Sequence, residues 1–288
     1  MEARGHDLND RLWSARILLD APGEVAAVHR SYLEAGADCI TTSSYQASYP
    51  GLERAGLDRD AATEVLQMSV RIAREERDRH HVGSGRPDHL RSLVAASVGP
   101  WGAYLADGSE YDGRYDVSKA DLRHFHSERL HALAAAEPDL IAFETIPSGP
   151  EVEVLLELLD DLPDRWVWLS LSCADDRHLR DGTELAGVVR RASERARMAG
   201  VGINCTHPEH VRGMLRTLRA ESGVPLLVYP NSGEDYDPET KCWTGRHETN
   251  DWIEQCHTWR AGGARVIGGC CRIGPGTIAA LHREWPLA

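Results

Sequence analysis

Short apolar runs alternate with longer amphipathic stretches along most of the chain, and no other feature restricts the fold as tightly. Parallel strands cannot be joined by a tight turn; they need crossovers of about a dozen residues or more, usually helical, and this rhythm supplies them. Strands fall at 38–43, 93–98, 140–144, 166–173, 201–205, 226–230 and 265–270. Helical periodicity occupies 24–35, 59–79, 119–136, 151–161, 185–198 and 208–220. Several of these open on a capping Ser, Asp or Thr, and one has Pro208 where a first turn tolerates it. The run Ile17-Leu-Leu-Asp20 fits a helical turn at least as well as a strand. There is no internal repeat, low-complexity tract or linker-like segment, so residues 1–288 form a single α/β domain.

Several strands end in polar or special residues: Thr41-Thr-Ser-Ser-Tyr-Gln46, Ser97-Val-Gly-Pro100, Glu144-Thr145, Asn204-Cys205, Tyr229-Pro-Asn-Ser-Gly233 and Cys270-Cys271. A (β/α)8 barrel gathers its chemistry at the carboxyl-terminal rim of the strands, where such residues converge. An open doubly wound sheet is the alternative; it would draw on a crevice between two strands, and chemistry at six strand ends favours a ring.

Cys270 and Cys271 are adjacent in Arg265-Val-Ile-Gly-Gly-Cys-Cys-Arg272, and Cys205 ends Val201-Gly-Ile-Asn-Cys205. Adjacent cysteines are poorly placed to bridge each other, and the two preceding glycines let the backbone bend so that both sulfurs face one point. Any one of these thiols alone would be read as packing; three at two strand ends form a metal site. Thiolates are soft ligands, and three of them leave one tetrahedral position open, which selects Zn²⁺. A redox pair is the competing use, but the chain lacks the Cys-x-x-Cys at a helix start that exchange chemistry favours. Cys39, Cys173, Cys242 and Cys256 are assigned to packing. His80, His81, His124 and His126 lie in charged helical stretches and are read as solvated.

With 42% hydrophobic and 27% charged residues, the chain is of globular composition. A net charge of −13 argues against nucleic-acid or anionic-membrane partners and suits a small cationic substrate. No apolar stretch reaches the roughly 18 to 20 residues of a membrane span, the first residues lack a signal-peptide core, and an odd count of seven cysteines fits a reducing compartment. The expected location is the cytoplasm.

At residues 41–48, 97–111 (Ser97-Val-Gly-Pro-Trp-Gly-Ala-Tyr-Leu-Ala-Asp-Gly-Ser-Glu-Tyr111), Phe143-Glu-Thr-Ile-Pro147, Gly202-Ile-Asn-Cys205, Val228-Tyr-Pro-Asn-Ser-Gly-Glu234 and Gly268-Gly-Cys-Cys271, the chain resembles the homocysteine S-methyltransferase family. The 102–111 stretch is similar to the bacterial branch that uses S-methylmethionine or S-adenosylmethionine. The resemblance implies a (β/α)8 TIM barrel, zinc on Cys205, Cys270 and Cys271, and Glu144 on the amino group of homocysteine. Family members begin with a further strand ending in Asp-Gly-Ala-Met-Ala/Gly-Thr, and this sequence starts after it. The expected fold is therefore the barrel without the family's first strand, through either an upstream start or a real loss; a catalytically inactive zinc-binding barrel with a regulatory or scaffold role is the second functional reading.

The residues support the implied chemistry. Zinc keeps an incoming thiol deprotonated, and a sulfonium methyl group needs no acid or base to leave, so binding and orientation carry the reaction. Trp101, with Tyr45, Tyr104 and Tyr111, offers ring faces to a cation, packing being the alternative. Glu144 ends an apolar strand and needs a cationic partner there, either a substrate ammonium or an arginine. Asn204 and Asn231 orient the substrate carboxylate or make local turn bonds, and Thr42, Ser43 and Gln46 are candidates of the same kind.

Overall fold

The computed structural model describes residues 1, 4–6, 12, 14–162, 165–237, 242–244 and 251–286. Helices α1 (Ser14–Asp20) and α2 (Pro22–Glu34) precede strand β1 (Cys39–Thr41). Helices α3 (Tyr49–Arg54) and α4 (Arg59–Ser84) lead to β2 (Leu93–Val98); α5 (Trp101–Leu105), α6 (Ser109–Asp112) and α7 (Lys119–Ala135) lead to β3 (Leu140–Ile146). Then follow α8 (Gly149–Asp161), β4 (Trp166–Leu171), α9 (Leu185–Ser193), β5 (Met198–Asn204), α10 (Val211–Glu221) and β6 (Leu226–Tyr229). A hairpin of β7 (Asp235–Asp237) and β8 (Cys242–Thr244), not anticipated from the sequence, comes before α11 (Trp252–Ala261), β9 (Ala264–Ile267) and α12 (Pro275–Glu284). The side chain of Cys242, assigned to packing, lies outside the described residues.

All seven expected strands are present and form one parallel sheet in the order β1-β2-β3-β4-β5-β6-β9. Ile17 to Asp20 are helical. Local chemistry sets the boundaries: Asp58 caps α4 by accepting from the Ala61 N–H at 2.8 Å, and Gly85, left-handed at φ 65°, stops it. Helix α9 ends five residues before the expected 198, because Arg197 takes a left-handed conformation (φ 65°) and turns the chain into β5.

The sheet is curled. Tyr229 on β6 donates its hydroxyl hydrogen to Glu144 Oε2 on β3 at 3.1 Å. In a flat sheet these strands, three spacings apart, would stand about 14 Å from each other. Curling also gives the sheet two separate apolar layers. Val94, Ile141, Phe143, Val167, Leu169, Val201, Ile203 and Val228 are buried on the face packed against the helices, while Ala95, Leu140, Ala142, Trp168 and Leu227 form a second cluster on the concave face. The edges β1 and β9 are drawn together by their flanking helices: Tyr32 of α2 donates to the Ile273 carbonyl at 2.7 Å, and Gly36 lies so close to His282 that a Cβ would stand 2.4 Å from the ring. Among the described residues no helix is long and apolar enough to cross a membrane.

Candidate metal centre and substrate pocket

The residues just past β5 and β9 carry the three thiols to one point. Cys205 and Cys271 sulfurs lie 3.8 Å apart, Cys270 and Cys271 4.0 Å, and all three fall within 4.8 Å of one another. Tetrahedral zinc with bonds of about 2.3 Å spaces its sulfurs by about 3.8 Å, so this donor set fits that ion in number, softness and spacing. No other residue among those described joins the cluster.

Strand β6, between β5 and β9, acts as the spacer. The Cys205 N–H donates to the Tyr229 carbonyl at 3.3 Å and the Cys270 N–H to the Pro230 carbonyl at 2.8 Å, so Tyr229-Pro-Asn-Ser sets how far apart the two thiol-bearing ends stand. Gly202 makes that approach possible, since a Cβ there would sit 1.9 Å from the Leu227 carbonyl oxygen. Neither Gly268 nor Gly269 has a positive φ, whereas Arg272 does (φ 67°); Gly269 is needed because a Cβ would collide with Ile273 at 2.2 Å. Arg272 is fixed by its ion pair with Glu234, Nε to Oε2 at 3.2 Å.

The thiols are electrostatically unequal. Hydrogen bonds from Cys205 and then Cys271, with a smaller one from Asn204, pull the Cys270 thiol well below its ordinary pKa, while the same contacts push Cys205 well above it. Cys173 and Cys256 are pushed up to about 12 by burial, and burial raises Cys39 as well, which keeps all three as inert packed thiols.

Glu144 sits beside the thiols at a bulge. The β3–β4 register slips between Phe143 and Ile146, so that Glu144 and Thr145 together face one residue of β4. Its carboxyl accepts from the Ser97 hydroxyl and from Tyr229, and burial raises it to about 7 against the opposing effect of those bonds. Among the described residues no arginine or lysine pairs with it. The buried carboxylate thus has hydroxyl partners but no cation.

Thr145 follows in a left-handed conformation (φ 62°), unusual for a β-branched residue, and Asn204 holds it there. The Asn204 amide accepts from the Thr145 N–H at 2.8 Å, donates to Thr145 Oγ1 at 2.7 Å, and lies 3.9 Å from Cys270 Sγ. Asn204 therefore ties the carboxylate-bearing strand to the thiol cluster. Thr42 Oγ1 accepts from the Ser97 N–H at 3.0 Å and contacts Ser44 Oγ at 2.6 Å; through Ser97 it positions Glu144. Ser43 Oγ is buried, and among the described residues no hydrogen-bond partner reaches it. Asn231 Oδ1 accepts from the Gly233 N–H at 3.1 Å, a local turn bond. Gln46 donates to the Ala103 carbonyl at 2.7 Å and lines a surface cavity of about 240 Å³. Trp101 packs edge-on against Phe125 and Tyr104 with centroids 4.9 and 5.2 Å apart.

Ser97, Ser44, Tyr229 and Thr145 were not singled out from the sequence as site residues; the partners of Tyr229 and Thr145 come from strands that are not neighbours in the sheet and meet only when it curls. One expectation is overturned outright. His126 is fully buried, with Nε2 2.7 Å from Glu151 Oε1 and Nδ1 2.8 Å from the Arg129 guanidinium. Glu151 also accepts from the Trp101 N–H at 2.7 Å and from the Tyr115 hydroxyl, so the network pins the loop after β2. The signal was present: His126 and Arg129 lie on the same helical stripe as Leu122, Leu130 and Leu133.

A curled parallel α/β sheet with three converging thiols that could hold a metal ion, and a buried carboxylate beside them, is the architecture of enzymes whose active site lies at the strand ends. The family model for homocysteine S-methyltransferase matches residues 1–285. Homocysteine S-methyltransferase YbgG of Bacillus subtilis is 42% identical over 98% of this chain and 90% of its own. Homocysteine S-methyltransferase 2 of Zea mays is 44% identical over 98% and 86%. The crystal structure of the metallated form of homocysteine methyltransferase MmuM from Escherichia coli superimposes with a TM-score of 0.88 at 41% identity, covering 98% of this chain and 92% of that one. The chain belongs to the homocysteine S-methyltransferase family and is a methyltransferase.

Proposed function

We propose that this protein transfers a methyl group from a sulfonium donor, S-methylmethionine or S-adenosylmethionine, to L-homocysteine, forming methionine, and that Cys205, Cys270 and Cys271 hold zinc for the reaction. The observation that carries this reading is the juxtaposition of the three sulfurs with Glu144, a buried carboxylate that has hydroxyl partners and, among the described residues, no cation. In this reading residues 1–288 are one (β/α)8-type barrel domain working in the cytoplasm in methionine biosynthesis. The free state of all six described cysteines suits a reducing compartment.

Zinc, when bound, supplies the Lewis acidity that lets a substrate thiol lose its proton at neutral pH. Glu144, oriented by Ser97 and Tyr229, takes the homocysteine ammonium and so aims the side-chain sulfur toward the thiols. Asn204 fixes the distance between that anchor and Cys270. The substrate sulfur's lone pair forms the new bond to the methyl carbon, the carbon–sulfonium bond breaks, and its electrons leave on the donor sulfur as a neutral thioether. No side chain moves a proton in that displacement. Orientation of the two reactants is the protein's contribution, and it is worth up to roughly 7 to 11 kcal/mol.

The test is methionine formation from homocysteine with each sulfonium donor, together with metal analysis. About one zinc per chain is expected by the three-thiolate ligand count. Cys270→Ala should lose both metal and activity. Turnover that survives Cys270→Ala and a strong chelator would refute the reading.

A further inference from the structure

The segment 102–111 contains a carboxylate that nothing above employs. A Cβ on Gly102 would lie 2.5 Å from the Glu110 nitrogen, so the start of α5 and the body of α6 are pressed together. Ala106 (φ 54°) and Gly108 (φ 89°), both left-handed, reverse the chain between them. The fold presses Glu110 inward. Its Oε2 is buried, and among the described residues no hydrogen-bond donor reaches it. Burial lifts its pKa to about 7, against the pull of its own backbone N–H.

Two tyrosines link this carboxylate to the metal centre. Tyr45 is kept from ionising first by burial, next by the charge of Glu110, and then by that of Cys205. Tyr111 is kept neutral by burial, and then by the charges of Cys205, Cys271 and Glu110. Gly99 admits the Tyr45 ring, since a Cβ there would sit 2.6 Å from it. Tyr45 packs against Gly99 and Glu110 against Gly102, so both lie against the one short segment that follows β2, and the charges of Cys205 and Cys271 reach Tyr111 beside Glu110. A buried carboxylate oxygen lacking any donor is costly and rare in a folded protein, and is explained when a ligand supplies the donor.

We propose that Glu110 determines methyl-donor specificity: its Oε2 accepts a hydrogen bond from the ammonium group of an amino-acid sulfonium. This rests on the methyl-transfer reading above and names the group that recognises the second substrate. The sulfonium centre itself has no N–H or O–H and cannot satisfy the oxygen; an ammonium can. Labour at the site is thus divided, with Glu144 receiving the amino group of the acceptor and Glu110 that of the donor.

The experiment compares S-methylmethionine with dimethylsulfoniobutanoate, which keeps the sulfonium and carboxylate but lacks the amino group, with homocysteine as acceptor in both cases. The wild type is expected to favour the amino-bearing donor by about tenfold or more in kcat/KM, the range of a hydrogen bond to a charged group. Glu110→Gln should raise the KM for S-methylmethionine by about tenfold, leave the KM for homocysteine unchanged, and reduce the preference between donors to below about threefold. Glu110→Asp should fall between. A preference retained in Glu110→Gln overturns the proposal. So does a wild type that treats the two donors alike, a comparison that needs no variant to fold. A wild type that uses neither of these two donors nor S-adenosylmethionine fails differently, refuting the methyl-transfer reading itself and this inference with it.

Discussion

Replacing Asn204 with alanine should loosen both halves of the site at once. The side chain makes two buried hydrogen bonds to Thr145, at 2.8 and 2.7 Å. Losing them costs about 2 kcal/mol, and leaving the Thr145 N–H buried without a partner adds about 1 to 3 kcal/mol. Release of Thr145 from its left-handed conformation returns about 1 to 2 kcal/mol. The net destabilisation is therefore about 2 to 3 kcal/mol. For 288 residues at about 2.1 cal/mol/K per residue, the unfolding entropy is about 0.6 kcal/mol/K, so the melting temperature should fall by about 4 °C. Calorimetry on the metal-free protein measures this without interference from metal binding. Because Thr145 follows Glu144, the same substitution should raise the KM for homocysteine by about tenfold or more while the donor KM changes little, as expected when a hydrogen-bonded charged contact is misplaced. A melting temperature within about 1 °C of wild type together with an unchanged homocysteine KM would show that Asn204 positions neither strand, and the account of this site would be wrong.

Gly202→Ala places a Cβ where it would stand 1.9 Å from the Leu227 carbonyl oxygen, in the strand pair that spaces Cys205 from Cys270. It should destabilise by about 3 kcal/mol or more and lower metal occupancy, and a soluble variant with normal melting and full zinc would contradict the spacer role of β6. A second expectation concerns acid. His29 and His126 are each held down to about 4, mainly by burial, so below their ordinary value of 6.5 the unfolded chain binds protons that the folded one refuses. Stability should therefore fall as pH drops from about 6.5 toward 4, by up to about 3 kcal/mol per histidine, and melting temperatures that stay flat across that window would refute it.

Much of the fold was legible because it rests on pattern. Each of the seven strands is an apolar run long enough to stand out, and Leu93–Val98 was located to the residue. The thiol trio was legible for a related reason: a cysteine directly after an apolar run is carried to the strand's end by the period of the chain alone. What the pattern did not carry is closure. Tyr229 serves Glu144 only because β3 and β6 face one concave space, and no local signal in either residue specifies that distance; Ser97, on the neighbouring β2, needs no curl to reach it. The stripe that buries His126 and Arg129 could be counted on α7, but their charge pointed the other way. Glu151, on the next helix, makes the burial tolerable.

The positions hardest to read are also the ones on which the site turns. Thr145, Cys205 and Arg272 adopt φ of 62°, 48° and 67°; Thr145 and Arg272 directly follow Glu144 and Cys271, and Cys205 is itself one of the thiols. A β-branched residue, a thiol and a long cation have no intrinsic reason to occupy that region, so each holds a conformation costing on the order of 1 to 3 kcal/mol that its surroundings must sustain. Asn204 sustains the first, the β6 carbonyl at Tyr229 the second, and Glu234 the third. All three clamps belong to the segments 202–205 and 228–234, which the sequence marks as motifs although they contain only one of the two thiol-bearing strand ends. Their work is to hold backbone turned the wrong way for its residue type, which aims Glu144 and the sulfurs of Cys205, Cys270 and Cys271 at the same space.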